Sequence, residues 1–193
     1  ALKYARAGNY IDFSAYKNVS RETLFGLFDS VTDEELDYRV YSEFLEDMKK
    51  AKSFVLLADN CGEIVLDKLL VKVLSERYPG VATKVVVRGL PVMNDATLED
   101  AREVGLTEVT EVVGNGTNLA GNPLRYIGSD ARELIEAADV ILSKGQGNFE
   151  SLSDEEGNIF FLFKVKCEVI ADQVGAPVGS HVVTRAVKAL PRQ

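Results

Sequence analysis

The sequence predicts an α/β protein, a three-layer αβα arrangement around a mostly parallel central sheet of Rossmann-like type. Short apolar runs of buried-strand type, the first being Ser53-Phe54-Val55-Leu56-Leu57-Ala58, recur along the chain. Amphipathic stretches separate them: after that first run, apolar residues return at Val65, Leu69 and Val73 and at Leu66, Leu70 and Leu74, a helical spacing. Strands separated by helices need crossover connections, and these build a parallel sheet covered on both faces. With 193 residues, 46% of them hydrophobic, the chain can bury one substantial core.

The elements follow in order. Residues 1–7 read as the end of a helix stopped by Gly8 and Asn9, ahead of a polar-aromatic segment, Asn9-Tyr10-Ile11-Asp12-Phe13. Residues 20–31 and 41–51 have the pattern of surface helices, with Asp33-Glu34-Glu35 as solvated charge between them. Residues 1–52 are therefore assigned as an N-terminal helical segment, the end of a longer helical region, and 53–193 as the α/β catalytic domain. Further strands are expected over 83–87, 108–113, 139–142, 159–163 and 181–184. Helices are expected from 64 to about 77, over 98–104 with Asp95 or Thr97 as cap, and from a capping Ser129 to 138. The stretches 88–97, 114–118 and 143–150 are loops, each leaving the end of a strand.

A formal charge of −8 and an isoelectric point near 4.8 argue against nucleic acid or an anionic membrane as the main partner. No apolar run has transmembrane length. Cys61 and Cys167 give neither a disulfide framework nor a zinc spacing, and a reducing cytoplasm is the expected setting. Nothing in the pattern sets an oligomeric state.

In a parallel sheet the strand C-termini share one edge, where ligands bind. Asp59, Asn60, Asp95, Asn115, Lys144 and Asn148 all come at strand ends and should converge there. Asp59, Asn60 and Asp95 offer two carboxylates and an amide oxygen, a hard set suited to Mg or Mn. The same residue types also serve as turn and cap residues. Lys144-Gly145-Gln146-Gly147-Asn148 lacks the Walker pattern, yet a strand-end lysine followed by glycines can cradle a phosphate. The alternative for Lys144 is a solvated loop. Glu63 and Glu150 are candidate supporting acids or plain surface residues. Gly114-Asn115-Gly116-Thr117-Asn118 lacks the dinucleotide form and is kept as a substrate-lining loop. Cys61 reads as a small buried thiol and His181 as a core histidine.

Taken together, Asp59-Asn60-Cys61-Gly62-Glu63, Pro91-Val92-Met93-Asn94-Asp95-Ala96-Thr97 and Lys144-Gly145-Gln146-Gly147-Asn148-Phe149-Glu150 resemble the metal-dependent damage-control phosphatases, most closely those of prokaryotic type. That family was long a domain of unknown function, sometimes labelled acidic-residue methyltransferase-like. Gly8-Asn9-Tyr10-Ile11-Asp12-Phe13 and Lys164-Val165-Lys166-Cys167 match two further blocks, so five motifs stand in register.

The resemblance implies a cytoplasmic hydrolase of phosphate monoesters of small metabolites, sugar phosphates or phosphopantetheine-like compounds, some of them damaged. It implies one divalent metal (Mn, Mg, Co or Ni) on Asp59, Asn60 and Asp95, and Lys144 meeting the substrate phosphate. Asp59, Asp95 and Lys144 are then the catalytic set. Asn9, Asp12 and Asn148 join Lys144 in binding substrate. Asn115 on its loop and Glu150 beside the lysine motif are added to the expected substrate contacts. The nucleophile is either a metal-activated water or Asp59 itself through an aspartyl-phosphate. A carboxylate that ligates a metal is partly neutralised, so water is the expected attacker, with Asp59 as ligand. Two other readings compete: an S-adenosylmethionine-dependent carboxyl methyltransferase and a non-catalytic phosphometabolite-binding module. The single glycine after the first strand and the lysine loop fit the methyltransferase poorly.

Overall fold

The computed structural model describes residues 1–7, 26 and 38–186. Asn9 and Asp12, and the helix expected over 20–31 apart from Gly26, lie outside the described residues.

Six strands form one sheet: β1 (Ser53–Leu57), β2 (Ala82–Val87), β3 (Glu111–Gly114), β4 (Val140–Lys144), β5 (Ile159–Lys164) and β6 (His181–Arg185). Their order is β3-β2-β1-β4-β5-β6. The first five run parallel, and β6 returns antiparallel along β5. β1 lies between β2 and β4, so the direction of strand succession reverses there.

Seven helices are described: α1 (Leu2–Ala7), α2 (Tyr38–Met48), α3 (Ile64–Arg77), α4 (Leu98–Glu103), α5 (Ser129–Ala137), α6 (Gln146–Leu152) and α7 (Glu168–Val174). They split between the two faces. Phe54 and Leu56 of β1 point to a core shared with Ala5 of α1, Val40, Phe44 and Met48 of α2, and Leu70, Val71 and Leu74 of α3. Val55 and Leu57 point the other way, to Ala131 and Ile135 of α5, Phe149 and Leu152 of α6, and Ile170 of α7. This alternation is the period of two of a pleated strand. Because both faces are covered, the strands read as unbroken apolar runs and not as alternating ones. The three-layer expectation is met. α2 is also pinned at the sheet edge, where Arg185 reaches Asp47 (2.8 Å) and Glu43 (3.4 Å) while lying over the Phe160 ring.

The structure departs from the sequence reading at several ends. The third strand begins at Glu111 and not at 108, because Gly105 (φ 68°) ends α4 and Leu106–Glu108 make a 3-10 turn that buries Leu106. Thr97 is the cap of α4, in a reciprocal capping box with Asp100. Gly128, and not Ser129, precedes α5; Ser129 is its first helical residue and bonds Asp130. Much of the loop expected over 143–150 is the start of helix α6 (Gln146–Leu152), whose glycines conceal that Asn148, Phe149 and Leu152 share a buried face. α7 was also not foreseen. No described helix is long and apolar enough to cross a membrane.

Candidate active site

The site lies where the strand order reverses, at the C-terminal ends of β1, β2 and β4. Beyond β1 the chain is gripped by the loop that follows β2. Ala96 N–H donates to Asp59 O (2.7 Å) and Cys61 N–H to Asn94 O (2.8 Å), so Asn60 and Asp95 face each other in a short antiparallel bridge. Asp95 closes a tight turn on Val92 O, with Met93 in the left-handed region (φ 48°). The bridge sets the three expected metal ligands side by side along a cleft of about 320 Å³. Its other walls are Gly121, Gln146, Gly147, Glu150 and Lys166.

Burial and negative charge dominate the electrostatics of this rim. Burial, together with the negative charges of Glu63 and Asp95, pushes the Asp59 carboxyl up to about 8, although Arg88 and Lys166 pull it down. A buried carboxylate beside a second carboxylate and an amide has the donor chemistry that suits a hard divalent ion. Among the described residues no group of three or more His, Cys, Asp or Glu side chains could hold a metal. Asn60, bridged to Asp95, adds an amide to the two carboxylates that line the cleft. The residues present fit the group. The β4–α6 turn presses on them from below: a Cβ at Gly145 would stand 2.1 Å from the Asp59 carboxyl carbon.

Arg88, the first residue beyond β2, is 1% exposed. Its Nε donates to Asp95 Oδ2 (2.6 Å) and its Nη2 to Asn148 Oδ1 (3.3 Å), which fixes the Asp95 carboxylate. Nη1 has no partner among the described residues.

The structure divides the sequence-predicted residues in two. Asp59, Asn60, Asp95 and Glu150 line the cleft. Asn115, Asn148 and Lys144 lie beneath it, each fully buried. Asn148 donates to Lys144 O (2.6 Å) and Ala58 O (3.2 Å) and accepts from Asn122 (2.8 Å). Asn115 accepts from Gly89 N–H (2.8 Å) and Thr117 N–H (3.1 Å) and donates to Asn122 (3.0 Å). The polar ends of both amides are engaged by the protein, and they brace the loops that carry the cleft wall.

Lys144 ends β4, and its ammonium sits between Glu63 Oε2 (2.5 Å) and Asp67 Oδ1 (2.7 Å), away from the cleft wall. Burial alone would lower its pKa, but Asp67 and Glu63 hold it above the ordinary lysine range. Asp67 is raised to about 6: its burial outweighs the pull of Lys144, and its Oδ2 has no partner among the described residues. The lysine that does line the cleft is Lys166. Gln146 holds that wall by accepting from Lys166 N–H (2.7 Å) and donating to Glu150 (2.7 Å).

Arg88, Asp67, Gln146 and Lys166 were missed in the sequence. Two of them left a signal. Asp67 falls on the buried face of α3 with Ile64, Leu70, Val71 and Leu74, where an unpaired charge would not be tolerated. Lys166 alternates with the buried Val165.

A family model described as the damage-control phosphatase ARMT1-like domain matches residues 1–182. A protein named damage-control phosphatase from Pyrococcus horikoshii is 35% identical over 186 residues, covering 96% of this chain and 64% of that one. A second protein of that name, from Archaeoglobus fulgidus, is 37% identical over 143 residues, covering 73% of this chain and 49% of its own. Among solved structures, a DUF89 family protein from Pyrococcus horikoshii superposes with a TM-score of 0.87 at 34% identity. That match covers 96% of this chain and 65% of the other. The chain thus spans at most about two thirds of the length of these relatives.

Proposed function

Because the chain belongs to the family of damage-control phosphatase ARMT1-like domains, we propose that it hydrolyses phosphate monoesters of small metabolites with one divalent metal, Mn, Mg, Co or Ni. Sugar phosphates and phosphopantetheine-like compounds are the proposed substrate class, and the cytoplasm the proposed setting. The observation that carries the reading is the bridged set Asp59, Asn60 and Asp95, lining a cleft in which burial, with the added charges of Glu63 and Asp95, drives Asp59 up to about 8. When bound, the metal would polarise the phosphoryl oxygens and orient the ester.

The chain's own residues supply the rest. Arg88 fixes the Asp95 carboxylate in its rotamer through the 2.6 Å bond from Nε. Asp59 is a ligand and not the nucleophile: its backbone carbonyl is tied to Ala96 and the Gly145 backbone packs against its carboxylate, so it has no room to swing toward phosphorus. Water is the attacking group. Lys166 offers the cleft a positive charge to meet the charge developing on the phosphoryl oxygens. The methyltransferase reading has no use for such an acid-rich, cation-seeking rim.

Purified protein treated with a chelator is expected to lose turnover of p-nitrophenyl phosphate and regain it with Mn²⁺. Asp95→Asn should lose bound metal by elemental analysis while keeping its fold. Undiminished turnover after chelation, or native metal content in Asp95→Asn, would refute the reading. Lys166→Met is expected to lower kcat by about 10²-fold, as removal of one electrostatic donor at a developing oxyanion commonly does, with metal content unchanged. An unaltered kcat would remove Lys166 from the chemistry.

A further inference from the structure

We infer that Lys144 and Glu63 are positioning residues that decide which end of the Asn60 amide faces the cation seat. The inference rests on the proposal above that Asn60 is a metal ligand. Its basis is a chain of buried hydrogen bonds with one polarity throughout. Lys144 carries donors alone, and both Glu63 oxygens accept, one from Lys144 and one from Asn60. The ammonium takes Glu63 Oε2 (2.5 Å) and Asp67 Oδ1 (2.7 Å), with all three side chains removed from solvent. Glu63 Oε1 is left to accept from Asn60 Nδ2 at 2.7 Å, and the same nitrogen reaches Asp59 Oδ2 at 3.2 Å.

An amide has one donating and one accepting end. With the nitrogen committed to two carboxylates, the oxygen is the end left for the cleft, where a cation needs it. The opposite rotamer would set Asn60 Oδ1 against Glu63 Oε1, two acceptors in contact inside a buried cluster, and would aim an NH₂ at the metal. Such a clash leaves buried polar atoms unsatisfied, which proteins avoid. Lys144 keeps Glu63 in register for this task. β4 and the start of α3, far apart in sequence, thus converge behind the ligand, while the backbone bridge to Asp95 fixes it in front.

Glu63→Gln reverses the polarity. Lys144 can only donate, so it claims the one side-chain oxygen of the substituted residue. The new NH₂ then faces Asn60, which must turn its oxygen inward and its nitrogen toward the cation. Mn²⁺ affinity by titration calorimetry is expected to fall about 10–100-fold, the range seen when residues supporting a metal ligand are changed. Asp67→Asn alters the same buried cluster without touching Asn60. It should lower the unfolding midpoint while Mn²⁺ affinity stays near the native value. In the Co²⁺-loaded protein, Glu63→Gln should change the visible absorption bands as Asn60→Ala does, a signature that loss of stability does not produce.

Should Glu63→Gln fail to fold, the native protein still answers. The side-chain NH₂ resonances of Asn60 should exchange slowly with solvent and persist on Mg²⁺ loading. Exchange as fast as that of an exposed amide would overturn the inference. So would native affinity in Glu63→Gln, or equal losses in Glu63→Gln and Asp67→Asn. Failure of the wild-type protein to bind any Mn²⁺ would instead overturn the metal reading on which the inference stands.

Discussion

Lys144→Met is expected to destabilise the folded protein by about 3–5 kcal/mol, the usual consequence of removing one partner from a buried ion pair. The substitution leaves Glu63 and Asp67 fully buried, four residues apart at the start of one helix, with no cation between them. The loss should depend on pH. Folded Asp67 keeps its proton up to about pH 6, against an ordinary value of 3.8. A carboxyl whose folded pKa is raised opposes folding above that pKa, and the opposition fades as pH falls toward the unfolded value. Lys144 is among the influences that pull Asp67 down, so its removal sends Asp67 higher. The stability gap between wild type and Lys144→Met should therefore widen as pH rises from 5 to 8, read by denaturant unfolding. A gap that narrows over that range, or a loss below 1 kcal/mol, would contradict the buried cluster.

Gly145→Ala is expected to abolish metal binding. A methyl carbon there would stand 2.1 Å from the Asp59 carboxyl carbon and 2.2 Å from Oδ2, so either the carboxylate or the β4–α6 turn must move. The backbone itself (φ 83°, ψ 151°) lies in a region that is essentially reserved for glycine, and forcing a side chain there costs on the order of 1–3 kcal/mol. Gly175→Ala separates the two effects. Gly175 also has positive φ, but nothing lies within 4 Å of its absent Cβ. It should lose stability and keep its metal. Native metal content in Gly145→Ala would show that Asp59 can yield without losing its ligand geometry.

The sheet and its rim were legible because strands buried on both faces leave an unbroken apolar signature, and the end of such a strand is easy to locate. Asp59 and Asn60 follow the clearest of these runs, and Asp95 follows another. That they face each other was not legible: the bridge joins two loops through backbone groups, which carry no sequence signal. Lys144 shows the opposite failure. A lysine ahead of Gly-Gln-Gly resembles a solvent-facing loop residue, yet β4 runs on through it, and its partner Asp67 lies 77 positions away. The glycines that suggested a phosphate loop serve close packing against Asp59 at Gly145 and against Gly121 at Gly147. Asn115 and Asn148 were assigned to substrate from their places at strand ends and, for Asn148, from its motif. An amide satisfied by backbone and by another amide cannot be told, in one dimension, from an amide waiting for a ligand.

The reversal of strand order at β1 also apportions what is free to change over evolutionary time. Every proposed metal ligand comes from one arm of the sheet, between β1 and α4, clasped by its own backbone bridge. Much of the opposite wall (Gln146, Glu150 and Lys166) comes from the other arm, carried on α6 and the segment after β5. The two arms meet along the single β1–β4 pairing. Substitutions at Gln146, Glu150 or Lys166 can therefore alter the shape and charge of the wall without replacing any proposed ligand, provided that Lys144 and Gly145, which brace those ligands from the same arm, are kept.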